Sequence, residues 1–317
     1  MRKFGRLLVV TVAVIAFSFV IVGQVKAITT VGLGTAGNFV ILSGTPNITD
    51  AGNASVITGN VGLSPATGAG IGLICTQVTG TIYSVDLAGP LPCRITNGPL
   101  LVTAKNDLTT AFNDAAGRTP VVTVPTELGG TTKISGVYDS ASTTFGITAG
   151  AGPLVLDAQS DPSAVFIFEM DAEGTGLIVG PGSTISLING AQACNVFWRV
   201  DTATIDTTAT FKGNILALNS ITVNNGANIQ GRLLARNGNV TLINDTISVA
   251  TCAAATPVTP VGGSGAGGPA SGSSSSSAVV PGLPNTGVDP NNNGDATWNV
   301  FSTGIIIVAL SLGIVQK

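Results

Sequence analysis

The chain has 317 residues, of which only 9% are charged, with 42 glycines, four cysteines and no histidine. Histidine-based nucleophilic triads are therefore excluded, and a sparse, mildly acidic surface lacks the Lys and Arg clusters that neutralise nucleic-acid phosphates. The composition points to a protein that binds rather than catalyses, with no cofactor, no metal and no nucleic-acid partner.

In chain order, Arg2, Lys3 and Arg6 precede an apolar run over 7–22, and Val25-Lys26-Ala27 places small residues where a signal peptidase reads them. This pattern predicts a secretory signal peptide over 1–27. The run is short for a spanning helix of ~20 residues, which disfavours an uncleaved membrane helix. Removing it takes four of the 13 basic residues and none of the 16 acidic ones, leaving 9 against 16, a net of −7. In an exported chain four cysteines read as two disulfides. Three pairings are possible. The favoured one joins Cys75 to Cys93 across a short Gly- and Pro-rich loop, worth ~3 kcal/mol, and leaves Cys194 for Cys252. No cysteine pair has C-x-x-C spacing, so a metal site is disfavoured.

Residues 28–252 read as one folded domain. Leu101, Ala104, Leu108, Ala111, Phe112 and Ala115 recur at three- and four-residue steps, the apolar stripe of a helix. Asn97, Gly98 and Pro99 supply its start and Gly117 its stop, which predicts a helix over 99–116. Nearly everything else is short β-type runs cut by Gly, Asn, Asp or Pro. Those runs repeat. Val196-Phe197-Trp198-Arg199 opens a block of 19 residues, Ile215-Leu216-Ala217-Leu218 a block of 18 and Leu233-Leu234-Ala235-Arg236 another of 18. Looser copies start at Val165-Phe166-Ile167-Phe168 and Val137-Tyr138. Each block holds one apolar strand and two alternating strands. A period near 18 with three strands per turn predicts an all-β, three-sided β-solenoid (β-helix) with one long helix.

Alternation points Ala203, Ile205, Ile221, Val223, Val240 and Leu242 inward, and Thr202, Thr204, Ser220, Thr222, Asn239 and Thr241 outward. The first strand of each block is apolar on both sides and needs a cover; the stripe of the helix is the available one. Two faces then stay free. Asp157, Asp161, Glu169, Asp171 and Glu173 are the carboxylates an acid/base pair would need, but they read as turn residues making local backbone hydrogen bonds. The free faces carry rows of Thr, Ser, Asn and Gly. Strands stack at about 4.7–4.9 Å and alternate residues lie about 6.7 Å apart, a rigid lattice of methyl and hydroxyl groups that can order water and merge with ice. Threonine is also simply a good strand residue, so the rows alone leave both readings open.

Longer stretches carry a resemblance. Leu33-Gly34-Thr35-Ala36-Gly37-Asn38-Phe39-Val40-Ile41-Leu42, Ile57-Thr58-Gly59-Asn60-Val61-Gly62-Leu63-Ser64-Pro65, Asp161-Pro162-Ser163-Ala164-Val165-Phe166-Ile167-Phe168, Ile188-Asn189-Gly190-Ala191-Gln192-Ala193-Cys194-Asn195-Val196-Phe197-Trp198 and Gly231-Arg232-Leu233-Leu234-Ala235-Arg236 resemble the microbial ice-binding proteins of the DUF3494 family. The resemblance spans about 31–249. It implies a discontinuous β-solenoid with the helix alongside, acting on an ice crystal surface as an antifreeze, a recrystallisation inhibitor or an ice adhesin. The candidate face carries Thr144, Gly146, Thr148, Thr202, Thr204, Ser220, Thr222 and Thr241, because its rows hold fewest charges. The alternative face carries Thr184, Thr210, Asn228 and Thr246, with Lys212 and Asp157 beside it. A non-ice surface adhesin or structural envelope protein is the other class of function; either is expected to work as a monomer.

Residues 253–282 are Gly-, Ser- and Pro-rich and predict a flexible linker. Leu283-Pro284-Asn285-Thr286-Gly287 resembles the LPxTG sorting signal of bacterial surface proteins, followed by an apolar run over 300–315 and Lys317. The resemblance implies that a sortase cuts after Thr286 and joins the chain to the cell envelope. The run over 300–315 also admits a plain membrane anchor.

Overall fold

The computed structural model describes residues 28–170 and 176–253. The predicted signal peptide, the linker beyond Ala253, the 283–287 motif, the 300–315 apolar run, Asp171 and Glu173 lie outside the described residues. All described residues fall within the first of two units, Met1–Val258. Among them no helix is long and apolar enough to cross a membrane.

The described chain is mostly β. Its strands form a 13-stranded, a seven-stranded and a three-stranded sheet, and every pairing is parallel. Successive passes of the chain lay one strand on each of three stacks. The first stack includes Gly136–Ser140, Phe166–Glu169 and Val196–Val200, the second Thr144–Ile147, Gly176–Val179 and Ala203–Ile205, and the third Leu154–Asp157 and Ile185–Ile188. Thr210–Ala217 and Asn228–Ala235 serve the third stack with their first halves and the first stack with their second. The corner between those halves falls at Gly213, with φ +120°, where a Cβ would stand 2.8 Å from Val196 Cγ1 and 2.9 Å from Trp198 Nε1. Only glycine fits there.

The order of the stack differs from the order of the chain. Phe39–Ser43, Ile48–Asp50 and Val56–Thr58, from the beginning of the chain, pair with Asn228–Ala235, Val240–Leu242 and Thr246–Ser248 from the end of the domain. The chain then makes a further pass through Asn60–Leu63, Ile71–Gly72 and Val78–Thr79. It returns by the helix, Gly98–Ala116, to Val121–Val124 at the opposite end of the first stack.

The helix starts where Asn97 accepts a hydrogen bond from the Leu100 amide at 3.1 Å and stops at Gly117. Its buried residues are the six of the predicted stripe. They pack on Phe39, Leu42, Val137, Ile167, Phe197, Leu216 and Leu234, the outward side chains of the first stack. Burial of Leu101, Leu108 and Phe112 contributes roughly 1.5–3 kcal/mol each. The inward side chains build the main core, where Phe168 stacks on Trp198 at 4.1 Å and on Tyr138 at 5.3 Å.

Two expectations need correction. Val196 does not align with Ile215: Trp198 does, and Phe197 faces Asn214. The slip of two residues keeps every side chain on its expected side, because strand alternation has period two, and a one-residue irregularity restores Ala203 opposite Ile221. Glu169 is not at a turn but inside Phe166–Glu169, 3% exposed, opposite Arg199. Asp157 likewise closes a strand, Leu154–Asp157, and Asp161 stands just before a turn; they accept from the Gln159 amide and the Ser163 amide, both at 2.8 Å.

Candidate functional site

The second stack is seven strands deep. Its inward rows are Phe145, Leu177, Ala203, Ile221, Val240, Ile48 and Ile71, with Ile147, Val179, Ile205, Val223 and Leu242 beside them, all buried. A continuous apolar floor of this kind holds the strand spacing constant. The outward central row reads Gly146, Ile178, Thr204, Thr222, Thr241, Thr49 and Gly72 by strand register. Four consecutive threonines stand in line and are all partly exposed.

A second outward row lies two residues earlier. Thr144 pairs with Gly176, and the backbone bonds Leu177 N to Thr202 O (2.9 Å), Ala203 N to Ser220 O (3.0 Å), Ile221 N to Asn239 O (3.0 Å) and Val240 N to Asn47 O (3.3 Å) carry the row onward. Gly176 has φ +82°, and a Cβ there would stand 1.9 Å from Thr202 O, so glycine is required. Over the seven strands neither row contains a charged residue, and Glu127, in register with Gly146, extends the central row by one charged position at its end. The nearest charges lie at the margins. Asp201 accepts from Asn219 Nδ2 at 2.5 Å, and Asp206 from Asn224 Nδ2 at 3.2 Å and the Thr207 amide at 2.7 Å. At one end Glu127 takes the Thr148 amide and hydroxyl and the Gly129 amide. Burial pushes the Glu127 carboxyl up, but the Thr148 and Gly129 hydrogen bonds outweigh it and hold it below the ordinary range.

The structure thus brings Thr144, Gly146, Thr202, Thr204, Ser220, Thr222 and Thr241 onto one stack, and places Thr148 at its margin, engaged by Glu127. Ile178, 45% exposed, interrupts the central row between Gly146 and Thr204. Sequence reasoning missed Thr49 and Asn47. The signal was present: Asn47-Ile48-Thr49 matches Asn239-Val240-Thr241 in residue type and lies directly against it.

The third stack carries Thr184, Thr210, Asn228 and Thr246 in one row, ending at Val56, 55% exposed. The neighbouring row is Lys212, Gln230, Ser248, Thr58 and Thr79. Lys212 Nζ donates to Gln230 Oε1 at 2.8 Å, so a cation stands within this face rather than at its margin. Asp157 borders it and accepts from Asn189 Nδ2 at 2.8 Å. The two disulfides are Cys75–Cys93 and Cys194–Cys252, the favoured pairing.

With the uncharged threonine rows on the second stack and the helix packed on the first, residues 41–248 match the ice-binding-like family model. The chain belongs to the ice-binding-like family. An ice-binding protein of Colwellia sp is 40% identical over 225 residues, covering 70% of this chain and 84% of the relative. One from Flavobacterium frigoris (strain PS1) is 40% identical over 223 residues, covering 69% and 76%. Among solved structures, an ice binding protein from an Antarctic biological consortium superposes with a TM-score of 0.61 at 36% identity, covering 72% of this chain and 95% of the other. The DUF3494 domain of Shewanella frigidimarina ice-binding protein 1 gives 0.63 at 28% identity, covering 71% and 99%. Membership of the ice-binding-like family agrees with the resemblance read from the core and turn residues.

Proposed function

We propose that this chain binds ice through the outward rows of its second stack, on a discontinuous three-sided β-solenoid. The observation that carries the reading is the uncharged Thr204, Thr222, Thr241 and Thr49 row beside Thr202, Ser220, Asn239 and Asn47, held flat by buried Ile221, Val223, Val240 and Leu242. Its repeat of about 4.7–4.9 by 6.7 Å arrays methyl and hydroxyl groups so that water ordered over them joins the crystal. The relatives are ice-binding proteins by name, which supports the same reading. Purified residues 28–253 should show thermal hysteresis and slow ice recrystallisation; absence of both would reject it.

We further infer that the exported chain is held at the cell surface. The support is the order of sequence features: a signal-peptide pattern, about thirty Gly-, Ser- and Pro-rich residues, the Leu283–Gly287 motif and an apolar run. A flexible tether of that length has a root-mean-square reach on the order of 30 Å, enough for a flat face to turn towards a crystal. A sortase product would end at Thr286, and mass spectrometry of envelope digests should find that terminus. An intact terminus at Lys317 in the membrane fraction would instead establish the plain anchor.

A further inference from the structure

The threonine row is made by two distant parts of the chain. Thr241 and Thr49 are neighbours in register although the helix and most of the stack lie between them in sequence. No covalent turn sets their relation, so the seam must be held by contacts across it. Part of that hold is ordinary backbone pairing: Gly44 N to Gly238 O (2.9 Å), Thr45 N to Asn237 O (2.7 Å) and Ala51 N to Leu242 O (2.9 Å).

The rest is a line of buried polar groups under the corner between the second and third stacks. Asp245 accepts from the Ala227 amide (3.0 Å) of the preceding pass and from the Ile243 amide (2.8 Å) of its own. The Asp245 amide donates across the seam to Ser55 Oγ at 2.9 Å. Asp50, next to Thr49, accepts across the seam from the Asn244 amide at 3.1 Å, from the Ser55 amide at 3.0 Å and from Gln77 Nε2 of the following pass. Asp50, Ser55, Gln77 and Asp245 are each at most 5% exposed. Four successive passes are therefore stitched by one polar line, and it lies at the seam. At the corner position of the two preceding passes stand buried Ala209 and Ala227, and one pass earlier a single buried Ser183, whose hydroxyl donates to Ile147 O. Buried polar groups are costly unless each is satisfied. Their concentration here fits a need for fixed register that apolar packing, which tolerates sliding, does not meet.

We propose that Asp50 is a positioning residue for ice binding: bonded across the seam to Asn244 and within its own pass to Ser55, it holds Thr49 in line with Thr241 so that the threonine row continues without a step. This inference rests on the ice-binding reading of the second stack. An asparagine at 50 keeps the shape but turns an amide donor towards donors, so it loosens the seam while leaving the Thr222 region untouched.

The test is a double-mutant cycle on the full chain, reading thermal hysteresis near 0 °C with folding checked by circular dichroism. Asp50→Asn should lower hysteresis at least threefold, and Thr49→Ala should lower it similarly. The pair should be no worse than Thr49→Ala alone, because Asp50 acts through Thr49. Some loss of melting temperature is expected either way; a merely structural role would instead multiply with Thr49→Ala, because it does not act through Thr49. If Asp50→Asn does not fold, Ser55→Ala, which removes the Asp245–Ser55 bond across the same seam, replaces it in the same cycle. Full activity of the folded variant, or an effect independent of Thr49, overturns the proposal. An inactive wild-type chain would overturn the ice-binding reading itself, and this inference with it.

Discussion

Replacing Thr222 by tyrosine tests the face at its centre. Thr222 points outward between Thr204 and Thr241, with Ser220 beside it in the second row. An upright ring there keeps a flat crystal from approaching Thr204 and Thr241, each about 4.8 Å away. Three of the four consecutive threonines are then lost to contact. Those are three of the eight side chains that the two rows present on these four strands, and a ring that holds the crystal off also lifts their neighbours away, so hysteresis should fall at least tenfold; a tenfold loss of affinity corresponds to about 1.4 kcal/mol. The fold should be indifferent, since tyrosine suits a strand and surface substitutions stay within about 0.5 kcal/mol. The contrast is Ile221→Ala, one residue away and fully buried, which should cost about 2–5 kcal/mol of stability without altering the outward rows. The assay is thermal hysteresis against concentration beside a thermal melt. Thr222→Tyr with hysteresis within twofold of wild type and an unchanged melt would show that this row does not contact ice.

Thr210→Tyr on the third stack should leave hysteresis within twofold of wild type, measured in the same assay. Burial, with Asp50 nearby, pushes the Asp245 carboxyl up to about 6 against the Ile243 and Ala227 hydrogen bonds, above an unfolded value near 3.9. The folded state then holds the extra proton, so this contribution is full below about pH 4 and lost as pH rises through about 6. It is on the order of 1–2 kcal/mol after allowance for screening. Melting temperature should fall between pH 4.5 and 7, and Asp245→Asn should flatten that slope. Cys93→Ser opens a loop of sequence separation 18 and should cost about 3 kcal/mol by denaturant unfolding, less if the loop stays packed.

Much of this was legible because the physics is local. The helix follows from the spacing of Leu101, Ala104, Leu108, Ala111 and Phe112, and the later passes follow from alternation repeated every 18 residues or so. The seam was not legible in that way. Pairing of 48–50 with 240–242 leaves no period in the chain, because the helix and several passes on either side of it intervene; only the Asn-x-Thr match of residues 47–49 with 239–241 marks it. The register slip at Ile215 escaped because a two-residue shift changes no side chain's face. Glu169 was misplaced since a lone acid near Asp171 and Glu173 reads as a turn, whereas register with Arg199 puts it inside a strand.

The second stack, on this reading, is the surface that adsorbs to ice. The most direct measurement grows a single ice crystal into dilute fluorescent wild-type domain, and a second crystal into Thr222→Tyr. Wild-type fluorescence should be built into the crystal on defined planes, and Thr222→Tyr should be pushed ahead of the front into the liquid. Wild-type protein excluded like an ordinary solute, or both proteins incorporated alike, would contradict this reading.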